Sequence, residues 1–63
     1  MSINEKLAEI VAERGLKQSF IAEKTGLKPD AVSRILTNKR SIQADEFLKI
    51  CDLLDINPRE FIA

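Results

Sequence analysis

The feature that most limits the fold of this chain is the lack of any covalent or metal crosslink. Its 63 residues include one cysteine and no histidine, so neither an internal disulfide nor a Cys/His zinc site is possible. A chain of this length forms one small domain, which we place at residues 1–63, and it is too short for a doubly wound sheet or a two-domain enzyme. Packed side chains must therefore supply the stability, and a hydrophobic content of 44% is enough for a folded core.

Helical periodicity and helix-end signals divide the chain into short helices. The predicted helices span residues 3–14, 18–25, 29–37 and 43–54, and a last short turn begins at Asn57. Ser2 and Glu5 have the spacing of a capping box, Gly15 and Gly26 are typical residues after a helix end, and Pro29 fits a first helical position. Nothing alternates like a strand. The predicted fold class is therefore all-α, a compact bundle of about five short helices.

Apolar spacing predicts which side of the fourth helix faces inward. Its inward positions are Ala44, Phe47, Leu48, Cys51 and Leu54. Cys51 is interpreted as a small buried hydrophobe, because no histidine is available to activate a thiol beside it. The last turn carries Phe61 and Ile62 and is too short to hold its shape alone, so it must dock either on helices 1 and 4 of its own chain or across a dimer axis.

The second and third helices, joined by about three residues that include a glycine, form a helix-turn-helix arrangement. One side of the third helix is apolar and should be buried, with Val32, Ile35 and Leu36. The opposite side is short and polar, with Asp30, Arg34, Thr37 and Ser33, flanked by Pro29 and Ala31. Such a face fits a DNA major groove, about 12 Å wide, although an ordinary solvated surface has the same character.

The distribution of charge favours the DNA interpretation. Ten basic and ten acidic residues give a formal net charge of zero, so the chain as a whole has no attraction for nucleic acid. Residues 17–40, however, carry six basic and two acidic side chains, whereas residues 1–16 carry two and three, and residues 41–63 two and five. The basic stretch coincides with the helix-turn-helix and the loop after it, as a phosphate-facing surface requires.

The order of residues in this region resembles that of a known family. The segments Gln18–Leu27, Ala31–Ile35 and Lys39–Ser41 resemble the Xre and Cro/phage-repressor helix-turn-helix proteins, and the resemblance extends from about Glu5 to Ile62. It implies a lambda-repressor-like bundle that binds double-stranded DNA with its third helix in the major groove. It also implies a homodimer on DNA, with no cofactor and no small-molecule substrate.

The resemblance further implies a role for individual residues. Gln18 matches a position that binds a phosphate and braces the third helix. Base-facing positions are matched by Pro29, Asp30, Ser33 and Arg34, and positions near the sugar–phosphate backbone by Lys28, Asn38, Lys39 and Arg40. Ala22 and Gly26 match small residues that let the two helices pack closely. Among the base-facing residues Arg34 is the strongest reader, because arginine prefers guanine, but a plain phosphate contact is equally open for it.

Several positions depart from the family pattern. Val11 and Leu36 stand where the family often has a buried Arg–Glu pair, and apolar packing there should preserve the fold. Lys17 and Lys28 replace the usual Ser or Thr caps, which weakens each helix start by ~1 kcal/mol but places an ammonium group where a phosphate would lie. Asn38 replaces a glycine in the loop after the third helix, and asparagine tolerates the same positive φ.

These observations predict a sequence-specific DNA-binding regulator of transcription, a repressor rather than an enzyme. A general base, a nucleophile pair and a glycine-rich phosphate loop cannot be recognised in the sequence. No segment resembles a secretory leader or a membrane span of about 20 residues, so we expect a cytoplasmic protein without a membrane partner.

A second interpretation keeps the helical scaffold without DNA binding. The chain would then be a protein–protein interaction module, an antitoxin- or adaptor-like partner subunit. Its contact surface would be formed by Phe20, Phe61 and the acidic C-terminal third. Phe20 stands at a position that is usually polar in the family, so it either packs over the edge of helix 1 or belongs to such a surface.

Overall fold

The computed structural model describes residues 2–61, in which four α-helices are followed by a single 3-10 turn. The elements are α1 (Ile3–Glu13), α2 (Gln18–Thr25), α3 (Pro29–Leu36), α4 (Ala44–Leu54) and the 3-10 turn (Pro58–Phe61). Residues 2–61 contain no strand, and the predicted all-α bundle is confirmed. The fifth element is one 3-10 turn rather than an α-helix. None of these helices is long and apolar enough to cross a lipid bilayer.

The helix ends follow the local signals in the sequence. At the start of α1 the backbone N–H of Glu5 donates to Ser2 Oγ at 3.2 Å, and the N–H of Ser2 reaches Glu5 Oε1 at 3.4 Å, which completes the predicted capping box. Gly15 follows α1 with a φ of +64°. The helices α1, α3 and α4 are each one residue shorter than predicted, because Arg14, Thr37 and Gln43 are cap residues.

The core is built from all four α-helices. It consists of buried side chains that pack together, namely Leu7, Val11, Ile21, Ala22, Val32, Ile50 and Leu54. Leu36 is half-buried and packs against this cluster, so Val11 and Leu36 are both part of the apolar interior, as predicted. Arg14, the residue after α1, contacts the C-terminal end of α4. Its Nη1 donates to the carbonyl oxygen of Leu54 at 2.6 Å and so caps a free carbonyl of α4.

The predicted inward face of α4 is partly wrong. Cys51 and Leu54 are buried, but Ala44 is exposed and the side chain of Leu48 is 55% exposed. Ile50 is also fully buried, although the apolar pattern did not predict it as an inward residue. The buried stripe runs at positions 47, 50, 51 and 54, which is also a helical spacing, and Leu48 lies about 100° around the helix from Phe47.

The 3-10 turn docks on its own chain. The ring of Phe61 meets that of Phe47 edge to face, with centroids 5.1 Å apart, and Lys6 Nζ lies 4.9 Å from the Phe61 centroid. Lys6 Nζ also donates to the carbonyl oxygen of Glu60 at 2.8 Å. The sequence allowed this turn to dock either on its own chain or across a dimer axis, and in the structure it docks on α1 and α4 of its own chain. Ile62 lies outside the described residues.

Cys51 is 1% exposed, and burial raises the pKa of its thiol. A thiol with a raised pKa is a poor nucleophile, because the thiolate is the reactive form. The interpretation of Cys51 as a structural residue is therefore confirmed.

Candidate nucleic-acid interface

A three-residue turn, Gly26–Lys28, joins α2 to α3. Gly26 has a φ of +76°, and its backbone N–H donates to the carbonyl oxygen of Ala22 at 2.9 Å, which ends α2. The hydroxyl of Thr25 accepts the N–H of Leu27 at 3.3 Å. Leu27 is half-buried against the core. The turn is thus fixed by its own hydrogen bonds and by one apolar anchor.

The reason for a glycine in this turn differs from the one implied by the family resemblance. A Cβ atom added to Gly26 would meet nothing within 4 Å, so close helix packing does not require a glycine at this position. Glycine is required at this position because of the positive φ, since this left-handed conformation is strained for most other residues. Ala22, by contrast, is 4% exposed and lies in the packed interior.

The orientation of α3 is set by its buried side. Val32 and Ile35 are fully buried, and they fix which way the helix faces. The residues predicted to face bases lie toward solvent, with Ser33 half-buried and the others exposed, namely Pro29, Asp30 and Arg34. The Thr37 hydroxyl donates to the carbonyl oxygen of Ser33 at 2.7 Å. Helix α3 therefore presents a short polar face to solvent opposite a buried apolar side.

Two residues of this face pair with each other. Arg34 Nε lies 3.1 Å from Asp30 Oδ2, one helical turn apart, and the two side chains are 60% and 74% exposed. Aspartate four residues before arginine is the favourable order for such a pair on a helix. The positive charge of α3 is thus balanced within the helix itself.

Exposed lysines flank the two helices. Lys17 and Lys28 precede α2 and α3 in extended conformation, and neither side chain caps the helix that follows it. Both are exposed, as is Gln18 in the first position of α2. As predicted, neither helix start has a side-chain cap, and Lys17 and Lys28 directly precede helix N-termini, where free backbone N–H groups favour an anion.

The loop after α3 adds another exposed cation. Asn38 has a φ of +58°, as expected for a residue that replaces glycine. The backbone N–H of Lys39 donates to the carbonyl oxygen of Arg34 at 2.8 Å, which ties the loop to the end of α3. The side chain of Lys39 is exposed.

Arg40, which was predicted near the DNA backbone, has a side chain that is 31% exposed and forms an ion pair with a residue of α4. Its Nη1 donates to Glu46 Oε1 at 3.0 Å and its Nη2 to Glu46 Oε2 at 2.6 Å. Glu46 is 7% exposed and also accepts the N–H of Gln43 at 2.9 Å. The bond from Arg40 and that from Gln43 hold the pKa of the Glu46 carboxyl below its usual range, against the opposing effect of burial. The charge of Arg40 is therefore neutralised by a buried partner.

Two residues that support the loop were missed in the sequence. Asn4 is 6% exposed, and its Nδ2 donates to the carbonyl oxygen of Arg40 at 2.6 Å. Glu46 binds the side chain of Arg40, whereas Asn4 binds its backbone. The signal for Glu46 was its position three residues after Gln43, a capping-box spacing. The signal for Asn4 was its place on the inward face of α1, three residues before Leu7.

Two helices joined by this turn, with a buried side on α3 and a polar side facing solvent, define a helix-turn-helix protein. A family model described as Helix-turn-helix matches residues 7–61, and the chain belongs to this family, the Cro/C1-type, Xre-like helix-turn-helix proteins. The family is one of DNA-binding regulatory domains rather than enzymes. No curated protein and no solved structure matches the chain.

Proposed function

We propose that residues 1–63 form one domain that binds double-stranded DNA at specific sequences and represses transcription. In this proposal α3 enters the major groove and α2 lies across the backbone. The observation that carries it is the outward face of α3, which is polar and exposed while its other side is fixed by fully buried Val32 and Ile35. A helix anchored by buried side chains can place its outward residues against base edges, since sites on packed elements are positioned more accurately than sites on loops.

The proposed contacts divide into two groups. Base edges are met by the residues on the exposed and half-buried positions of α3, namely Pro29, Asp30, Ser33 and Arg34. The sugar–phosphate backbone is met by the residues at the helix starts and in the following loop, namely Gln18, Lys28, Asn38 and Lys39. Arg40 contributes indirectly in this proposal, because its guanidinium is bound to Glu46 and fixes the loop that carries Lys39.

We further propose that the protein acts on DNA as a homodimer. A single module of this kind buries only ~600–1,000 Å² on DNA, which limits the specificity of one copy. The molecule measures 29 × 23 × 23 Å, so two copies fit side by side on one face of the duplex. Their recognition helices would then meet half-sites about 34 Å apart, one helical turn of DNA. The cytoplasm is the compartment in which we place this activity.

The proposal is tested by the affinity for a random-sequence duplex as a function of salt, measured by fluorescence anisotropy. Log K should fall steeply with log[salt], and the slope should become shallower by about one in Lys28→Ala and in Lys39→Ala. Lys49→Ala is the matched control, because this exposed lysine lies on α4 outside the proposed interface, and its slope should equal that of the parent chain. Absence of binding at low salt would refute the proposal.

Exposed apolar side chains favour a second candidate, the protein–protein interaction module. Phe20 is 39% exposed with Lys24 Nζ 6.0 Å from its ring centroid, and Leu48 is 55% exposed. Phe61 supports this candidate less, because its ring packs against Phe47 of the same chain. The same salt titration separates the two, since the module predicts no binding to any duplex at low salt.

A further inference from the structure

The two arginines beside the helix-turn-helix use different parts of their guanidinium groups. Arg40 holds Glu46 with Nη1 and Nη2, the two nitrogens at the far end of the group. In the ion pair of Arg34 with Asp30 the closest atoms are instead Nε, the nitrogen next to the side-chain stem, and Oδ2, and within residues 2–61 neither Nη1 nor Nη2 of Arg34 donates a hydrogen bond. The far end of Arg34, with its two parallel donors, is therefore left for a different acceptor.

The surroundings of Arg34 determine which acceptor suits it. Two parallel N–H donors fit the O6 and N7 atoms of guanine in the major groove, and they also fit a phosphate. Asp30, however, places a carboxylate oxygen 3.1 Å from Arg34 Nε. A phosphate brought to Arg34 would come close to this like charge and be repelled, whereas the neutral edge of a guanine would not.

The pair also limits the freedom of a long side chain. An exposed pair of this spacing adds little to stability, so its effect on the fold is small. It biases Arg34 toward the rotamers that keep Nε near Asp30, and this weak orientation should raise the affinity of Arg34 for a base by about twofold. Asp30 is thus a positioning residue for Arg34.

We propose that Asp30 and Arg34 together form a guanine reader, in which Arg34 Nη1 and Nη2 donate to guanine O6 and N7 while Asp30 holds Nε. This inference rests on the proposed function, because it requires α3 to lie in the major groove. It assigns one guanine in each half-site to one turn of α3. It also separates the two roles that the sequence left open for Arg34.

The experiment begins with selection of bound duplexes from a random pool, followed by competition between a selected site and the same site with its guanine replaced by adenine. The parent chain should prefer guanine by roughly 5- to 150-fold. Arg34→Ala removes the donors and should abolish this preference, whereas Arg34→Lys keeps the charge without the rigid fork and should weaken the preference while leaving the salt slope unchanged. Asp30→Asn removes the anchoring charge, so it should reduce the preference and raise the affinity for random DNA.

Each contrary result has a distinct meaning. Selected sites without a common guanine, or a guanine preference that survives in Arg34→Ala, would overturn the guanine reader. A uniform loss of affinity over all sequences in Arg34→Ala, with a slope shallower by about one, would show a phosphate contact instead. An unchanged preference in Asp30→Asn would overturn the role of Asp30. Failure of the parent chain to bind any duplex at low salt would refute the proposed function itself, and far-UV circular dichroism checks that every variant is folded.

Discussion

Arg40 and Glu46 form a two-contact ion pair that joins the loop after α3 to the first turn of α4, with nitrogen–oxygen distances of 3.0 and 2.6 Å. Glu46 is buried, and Asn4 binds the backbone of Arg40 from α1. The loop is thereby held from two helices that do not belong to the helix-turn-helix. An arginine in the basic stretch is thus bound within the protein, and Lys39 beside it is the cation presented to solvent.

The first prediction concerns Glu46→Gln, which should lower the melting temperature by several degrees at pH 7. The folded-state pKa of Glu46 lies below its unfolded value of about 4.3, so its stabilising effect is present above that pH and is lost as pH falls through the folded-state pKa. The difference in melting temperature between the parent chain and Glu46→Gln should therefore be full at pH 7 and shrink in strong acid. Thermal melts followed by circular dichroism between pH 3 and 7 measure it.

The control for this prediction is Asp52→Asn, which removes an exposed carboxylate from the same helix. It should shift the melting temperature little at any of these pH values. A difference between Glu46→Gln and the parent chain that stays constant down to pH 3 would contradict the role of the charged pair.

The second prediction concerns the docked 3-10 turn. Phe61→Ala should lower the free energy of unfolding by about 1–2 kcal/mol, less than for a fully buried phenylalanine, because the ring is half-buried against Phe47 and Lys6. Since this contact lies within one chain, the loss should not depend on protein concentration. Urea unfolding at several concentrations tests it. A midpoint that rises with concentration, and loses this dependence in Phe61→Ala, would instead indicate a contact across a dimer axis.

The third prediction concerns the uncapped helix starts. Lys17→Ser together with Lys28→Ser should raise the free energy of unfolding by roughly 1 kcal/mol at each site, because a serine hydroxyl can accept a backbone N–H that no side chain now binds. The same change should weaken DNA binding, because it removes the Lys28 ammonium group from the proposed phosphate contacts and the Lys17 ammonium group from the residue next to Gln18. Stability and affinity measured on the same protein test the two effects together. A more stable variant with unchanged affinity would contradict the assignment of these lysines to phosphates.

The sequence was most informative where short-range chemistry decides the structure. The bounds of α2 were predicted correctly, since Gly26 at its end is a residue that takes the required positive φ at little cost. The positive φ of Asn38 was also predicted correctly, because asparagine tolerates this conformation better than most residues other than glycine. The inward face of α4 was harder, because two helical spacings overlap there and only the position of its neighbours decides that Ile50, not Leu48, is buried.

One feature of the candidate site could not be predicted from charge alone. The sequence placed both Lys39 and Arg40 near the sugar–phosphate backbone and did not predict that Arg40 has a partner within the protein. Whether Arg40 is available depends on Glu46 and Asn4, which lie six and 36 residues away in the sequence. The capping-box spacing places Glu46 in the first turn of α4 but does not show that it also binds Arg40, so the folded chain is needed to distinguish Arg40 from Lys39.

Amide chemical shifts in an NMR titration with a selected duplex show whether α3 and its flanking lysines form the DNA-binding surface. The largest changes should fall in α3, at the start of α2 and in the loop at Asn38 and Lys39. The outer face of α4 around Leu48 should stay unchanged. Changes centred on Leu48 and the 3-10 turn, with α3 unaffected, would contradict the account.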